Sequence, residues 1–206
     1  MARSVRRRLW RKSADRSGLH AGEANRVRSV LGRAAWEGLL AGLVGAAAMT
    51  VTEKVEQRLT GRPDSYVPAL TLGRLLGMPD ARSEPSRLLN LSMHVGQGAL
   101  VGIWRAAMAE GGLRGPVAST AFTGFRLLND QTLENLTGSG APPASWPRME
   151  LVVDVLHKAV YGFTTGLVAD RLAARRGLGA GALHAAMRPG RRSDVGPPSP
   201  AAVGRG

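Results

Sequence analysis

Four apolar stretches dominate the chain, and none reaches the length that a lone membrane-crossing helix needs. Gly38 to Thr52 carries no charge, Leu88 to Trp104 carries only the titratable His94, Pro116 to Phe125 stops at Arg126, and Ala159 to Ala169 follows Lys158. Crossing ~30 Å of hydrocarbon takes about 20 helical residues. Each stretch must therefore be completed by polar residues that face a shared interior or snorkel to the interface. Richness in Leu, Ala and Gly, the length of the stretches and the lack of period-two alternation make them helices rather than strands. The expected fold is all-α, a four-helix transmembrane bundle, with helices at about 34–59, 88–109, 116–137 and 150–175.

Glycine placement points the same way. Gly38 and Gly42, Gly98 and Gly102, and Gly162 and Gly166 each form a GxxxG step inside an apolar helix, and Ala41 with Gly45 adds a further small pair. Inside a helix in water, Gly costs ~1 kcal/mol relative to Ala. In lipid, small residues repay that cost by letting backbones approach closely, within one chain or between chains of a homo-oligomer. A mean hydropathy of -0.08 keeps a tightly packed soluble helical bundle as the competing architecture.

The chain ends differ from this middle. Residues 1–33 form a basic arm, with ten Lys/Arg running from Arg3 to Arg33 against Asp15 and Glu23, and no apolar run follows closely enough to make it a secretory signal. Residues 34–176 form the membrane domain, and 177–206, rich in Gly, Pro and Arg, read as a flexible tail. With Arg105 and Arg114 assigned to the middle turn, 19 Lys/Arg fall on the side of the termini and 7 on the other, which places both termini in the cytoplasm of a multi-pass cell-membrane protein. A net charge of +13 asks for an anionic partner. The lipid bilayer, with anionic headgroups touching the arm, is the first expectation; a soluble nucleic-acid-binding protein is the competing class. Cys 0 removes disulfides and thiolate metal sites.

Leu59-Thr60-Gly61 closes the first helix and Leu136-Thr137-Gly138 the third, 77 residues apart. Each triplet is followed by a Pro-containing loop and then by a helix bearing a histidine and a glycine pair, His94 with Gly98 and Gly102, and His157 with Gly162 and Gly166. The expected organisation is two repeated helical hairpins, the first with a longer loop that holds a short interfacial helix over Pro68 to Leu76. The segments EKVEQRLTGRPDSYVPALTLGRLLG, NDQTLENLTGSGAPP and DVLHKAVYGFTTG resemble an uncharacterised family of small actinobacterial integral membrane proteins. More distantly, the His- and Gly-bearing spans resemble the YagU family of inner-membrane proteins. These resemblances imply a membrane location and a four-helix architecture, and they carry over no catalytic residue.

Ionisable residues within the helices are the candidate site. Alternating helix directions set Glu53, His94, Asp130 and His157 in one layer, ~10 Å below one end of the bundle. Ser119, Thr123, Arg126, Asp130 and Glu134 make one stripe by helical spacing; Asp154 reaches His157 and Lys158, and His157 reaches Tyr161. Charges in a span cost ~2.5 to 3.5 kcal/mol each, so these groups should pair, with Lys158 near Asp130 or Glu134. Three readings of the cluster stand open: ion pairs that fix helix register, a relay for protons or a small solute, and a carboxylate-bridged metal site, which would make the chain a membrane-bound metal-dependent enzyme. The metal reading draws on Glu53, Asp130, Asp154 and His157, but Leu91 stands where its second helical acid belongs. No GxGxxG, GxxxxGK[ST], HExxH or GxSxG motif occurs, so no enzyme is marked and no cofactor is expected.

Overall fold

The computed structural model describes residues 2–78 and 86–187, with only the backbone of 2–24, 26, 180, 184 and 185. Within these residues the chain is all-helical: α1 (Ala2–Thr60), α2 (Val67–Leu75), α3 (Arg87–Gly111), α4 (Pro116–Leu136), α5 (Arg148–Ala174) and α6 (Ala180–Met187), with a 3-10 turn at Pro143–Ser145. Four helices are long. α1 packs on α3 and α5, α4 packs on α5, and α2 lies across α3. Two segments, Val27–Thr60 and Arg148–Ala174, are long and apolar enough to cross a membrane.

Local chemistry sets the ends. Ser86 caps α3 by accepting the Leu89 N–H, and Gly112, at φ 97°, ends it. Gly115, at φ 86°, and Pro116 then start α4 after a short turn. Both Leu-Thr-Gly triplets end their helices through a left-handed glycine, Gly61 at φ 73° and Gly138 at φ 64°. This conformation is nearly free for Gly and strained for other residues. The short helix expected near Pro68 is α2, its first turn tied down by Asn90, whose side chain accepts from the Ala69 N–H and donates to Ser65 O.

Three expectations need correction. The basic arm is not separate from the first helix: the α1 backbone runs unbroken through it for 59 residues, because Arg, Lys, Leu and Ala are good helix formers and no proline interrupts them. Part of the supposed flexible tail is α6, seated on the end of α3, where Ala182 meets Gly112 and Gly181 meets Gly111. Arg105 is not in the middle turn either, but inside α3 and fully buried. Residues 188–206 of the expected tail lie outside the described residues, as do the side chains of His20 and His184.

The interior is built from small and polar groups. Ten of the fifteen buried hydrophobic residues are alanine, and no leucine is buried among the described residues. A Cβ at Gly38 would strike the backbone of Ile103 and Gly102; one at Gly42 would strike Gly98 and Ala99; one at Gly102 would strike Gly38 and Gly42. α1 and α3 thus meet backbone to backbone. On α5, Gly162 makes room for Thr123, and Gly166 for Ser119 and the Arg105 guanidinium.

Candidate functional site: a charged cavity at one end of the bundle

At the end where α1 and α4 finish and α3 and α5 begin, the four long helices part around a cavity of about 320 Å³. α2 and the loops holding Arg62, Ser139 and Trp146 form its rim. Glu53 comes from α1, His94 from α3, Arg126, Asp130 and Glu134 from α4, and Asp154, His157 and Lys158 from α5. The cavity therefore gathers eight of the nine expected cluster residues.

Asp130 is its electrostatic centre. Buried to 5% exposure, it takes hydrogen bonds from Arg126 Nε at 3.0 Å and Gln97 Nε2 at 2.9 Å, and Lys158 Nζ stands 3.6 Å away. Lys158 also pairs with Asp154, one turn back on α5. Arg126 donates a second bond to Gln97 Oε1 at 3.3 Å, and its guanidinium lies 4.9 Å from the centre of the Tyr161 ring. A buried charge left alone is expensive, and this alternation of two cations and two carboxylates meets that cost with hydrogen bonds as well as charge. His94 Nε2 is 3.0 Å from Thr50 Oγ1 on α1. His157 lines the cavity without a hydrogen bond to Asp154 or Tyr161 among the described residues, although spacing alone allowed both. Glu53 is reached by Gln57 Nε2 at 3.5 Å.

Tyr161, the ninth residue, is fully buried beneath the cavity rather than on its wall. Its hydroxyl donates to Gly98 O at 2.6 Å, and its ring packs on Phe122, with centroids 5.8 Å apart. Together with Ala46, Met49 and Val101 these rings form an apolar floor to the cavity.

At the rim, Arg62 clasps Glu56 with bonds of 2.9 and 3.1 Å, and the carboxylate beside it holds its guanidinium above the ordinary value. Lys54, hydrogen-bonded to Asp64, holds that carboxyl below the usual carboxylate range. Arg74 of α2 donates to Thr137 O at 2.6 Å, which satisfies one of the last carbonyls of α4.

No carboxylate-bridged metal site assembles from Glu53, Asp130, Asp154 and His157. Among the described residues no group of three His, Asp or Glu side chains is gathered closely enough to hold a metal ion. The physical reason is that Arg126 and Lys158 occupy the two aspartates.

Two parts of the polar interior escaped the sequence reading. Gln97 bridges Arg126 and Asp130, and its only signal was its place one helical step beyond His94. At the other end, buried Arg105 pairs with Asp170 at 2.8 Å, and Asp170 also accepts the Gly115 N–H at 2.8 Å. Arg105 reaches Ser119 Oγ as well, at 3.4 Å.

No family model, curated protein or solved structure matches the chain, so its function is read from the chemistry of this cavity.

Proposed function

We propose that the protein is a four-helix, multi-pass membrane protein in which the charged cavity serves proton-linked passage, of protons alone or with a small polar solute. The observation that carries the reading is an inverted distribution of side chains. Leu43, Val51, Leu100, Trp104, Phe125, Leu128, Val155, Phe163 and Leu167 point outward, while Arg105, Arg126, Asp130 and Lys158 are buried. In water this arrangement forgoes hydrophobic burial and desolvates charges; in lipid it places the large apolar groups against acyl chains and lets the charges pair inside. Trp36 and Trp104, both exposed at the end away from the cavity, suit an aromatic belt.

The cavity supports a relay because His94 and His157 share it with Glu53, Asp130, Glu134 and Asp154. Histidine exchanges protons near neutral pH, and acids in the same space can receive them. In this reading the basic arm and both termini stay in the cytoplasm against anionic headgroups, and the cavity opens to the opposite side.

Carbonate washing of membranes, combined with reporters at residue 206 and near residue 80, tests the location. Retention in the pellet with the second reporter outside is expected; release into buffer, or salt-sensitive nucleic-acid binding by a soluble chain, overturns it. For the relay, the purified chain in liposomes should carry protons down a gradient, and His94→Ala and His157→Ala should each lower the flux by about a hundredfold, the low end of what one positioned proton carrier contributes. Unchanged flux in both variants would reduce the cluster to scaffold.

A further inference from the structure

Below the floor of the cavity, buried polar groups continue beside the alanine cluster of α1, α3 and α5. Along α4 the buried groups descend from Asp130 through Arg126 and Thr123 to Ser119, each less than a tenth exposed, over ~16 Å of helix. α5 runs beside them with Lys158, Tyr161 and Thr165 buried, then Asp170 at the far turn. α3 adds Arg105, wholly buried against Asp170 and Ser119. This column joins the cavity to the opposite end of the bundle.

Its lower part is left unsatisfied by the protein. Thr165 Oγ1 and Arg105 Nε are buried and have no hydrogen-bond partner, whereas Asp170 Oδ1 stands 2.8 Å from Arg105 Nη2. Such an atom costs ~1–3 kcal/mol when nothing pairs with it, and buried polar atoms without a protein partner are the groups that bound water serves in protein interiors. Arg105 Nε carries this demand at the ion pair itself, and Thr165 Oγ1 carries it higher on α5.

We infer that this column is a hydrated proton path that continues the cavity to the far end of the bundle, with the Arg105–Asp170 pair as its inner gate. The inference rests on the relay reading of the cavity and adds the route and the species. A proton arriving from the inner side bonds to an Asp170 oxygen and neutralises it, which loosens the pair with Arg105. The same O–H bond breaks when the proton passes to water near Ser119 and Thr165 and on toward Asp130, and the ion pair closes again. No electron pair leaves the chain and no co-reactant is consumed. Arg105 keeps its proton throughout, so the proton that moves is the one carried by Asp170. Proton hopping needs single waters, whereas a larger solute needs an open lumen, and the Tyr161–Phe122 floor leaves none.

The test uses the full chain in liposomes holding a pH-sensitive dye, with flux driven by a potassium diffusion potential. Asp170→Asn should lower the initial proton flux by about a hundredfold. Thr165→Val, which keeps the shape and removes only the hydroxyl, should lower it several-fold without changing the elution profile or helix content. Leu167→Ala, on the outward face of α5, serves as the control and should retain the wild-type rate. Wild-type flux in both Asp170→Asn and Thr165→Val, alongside reduced flux in His157→Ala, would sink the inner path and leave the cavity reading standing. Wild-type flux no greater than that of empty liposomes would sink both. Potassium or sodium conductance equal to that of protons would overturn the assignment of the species.

Discussion

At the scale of single residues, the glycines divide into two kinds with opposite expected responses to a methyl group. Gly42 and Gly102 touch the facing backbone, so Gly42→Ala and Gly102→Ala should each cost ~1–3 kcal/mol by forcing α1 and α3 apart. Gly96 and Gly124 also lie in helix interiors, but a Cβ there meets nothing, and Ala at either should stabilise by ~0.5–1 kcal/mol through helix propensity. Melting of the purified chain in one detergent distinguishes the two signs. The charged pair beside the cavity has its own signature. Asp130→Ala should cost ~3–5 kcal/mol, because Arg126 loses its carboxylate while it stays buried. Removing both charges, as Asp130→Leu with Arg126→Met, should cost less than the single change. An additive cycle would show that the two side chains do not depend on each other.

Among elements, α2 is held by named bonds as well as by its packing on α3. Arg74 reaches the end of α4, and Asn90 of α3 holds its first turn. Arg74→Ala should therefore speed amide exchange across residues 67–75, with little change in the exchange of α1 or α5. Equal acceleration throughout would mean that α2 belongs to the cooperative core. Much of this arrangement was legible in the sequence. The Leu-Thr-Gly triplets announced two helix ends, Pro68 announced α2, and helical spacing alone grouped Arg126 with Asp130 and Asp154 with Lys158. What stayed hidden depends on partners far along the chain. Arg105 sits near a turn and reads as a solvated loop charge until Asp170, 65 residues on, is brought beside it. Gln97 likewise gains its meaning only when α4 delivers Arg126 and Asp130. The helical backbone of the arm was obscured because a run of arginines signals solvation, which sets its surroundings and not its backbone conformation.

For the molecule as a whole, the basic arm is expected to set orientation. Replacing Arg3, Arg6, Arg7, Arg8, Arg11 and Lys12 with Gln should raise the fraction of chains whose residue-206 reporter lies outside, since Lys/Arg bias weighs most near the first span. An unchanged fraction would assign orientation to the later charges. The two ends of the bundle are fastened unequally. Away from the cavity, Arg176 bridges Glu37 of α1 and Glu110 of α3, and the neighbouring carboxylates raise its guanidinium above the ordinary value. Arg114 bonds Gly177 O nearby, at 2.9 Å. Over its length α4 rests mainly on α5 and touches α3 and α2 lightly. The Arg176 clamp ties α1, α3 and the end of α5 into one unit, and α4 is joined to that unit chiefly through α5.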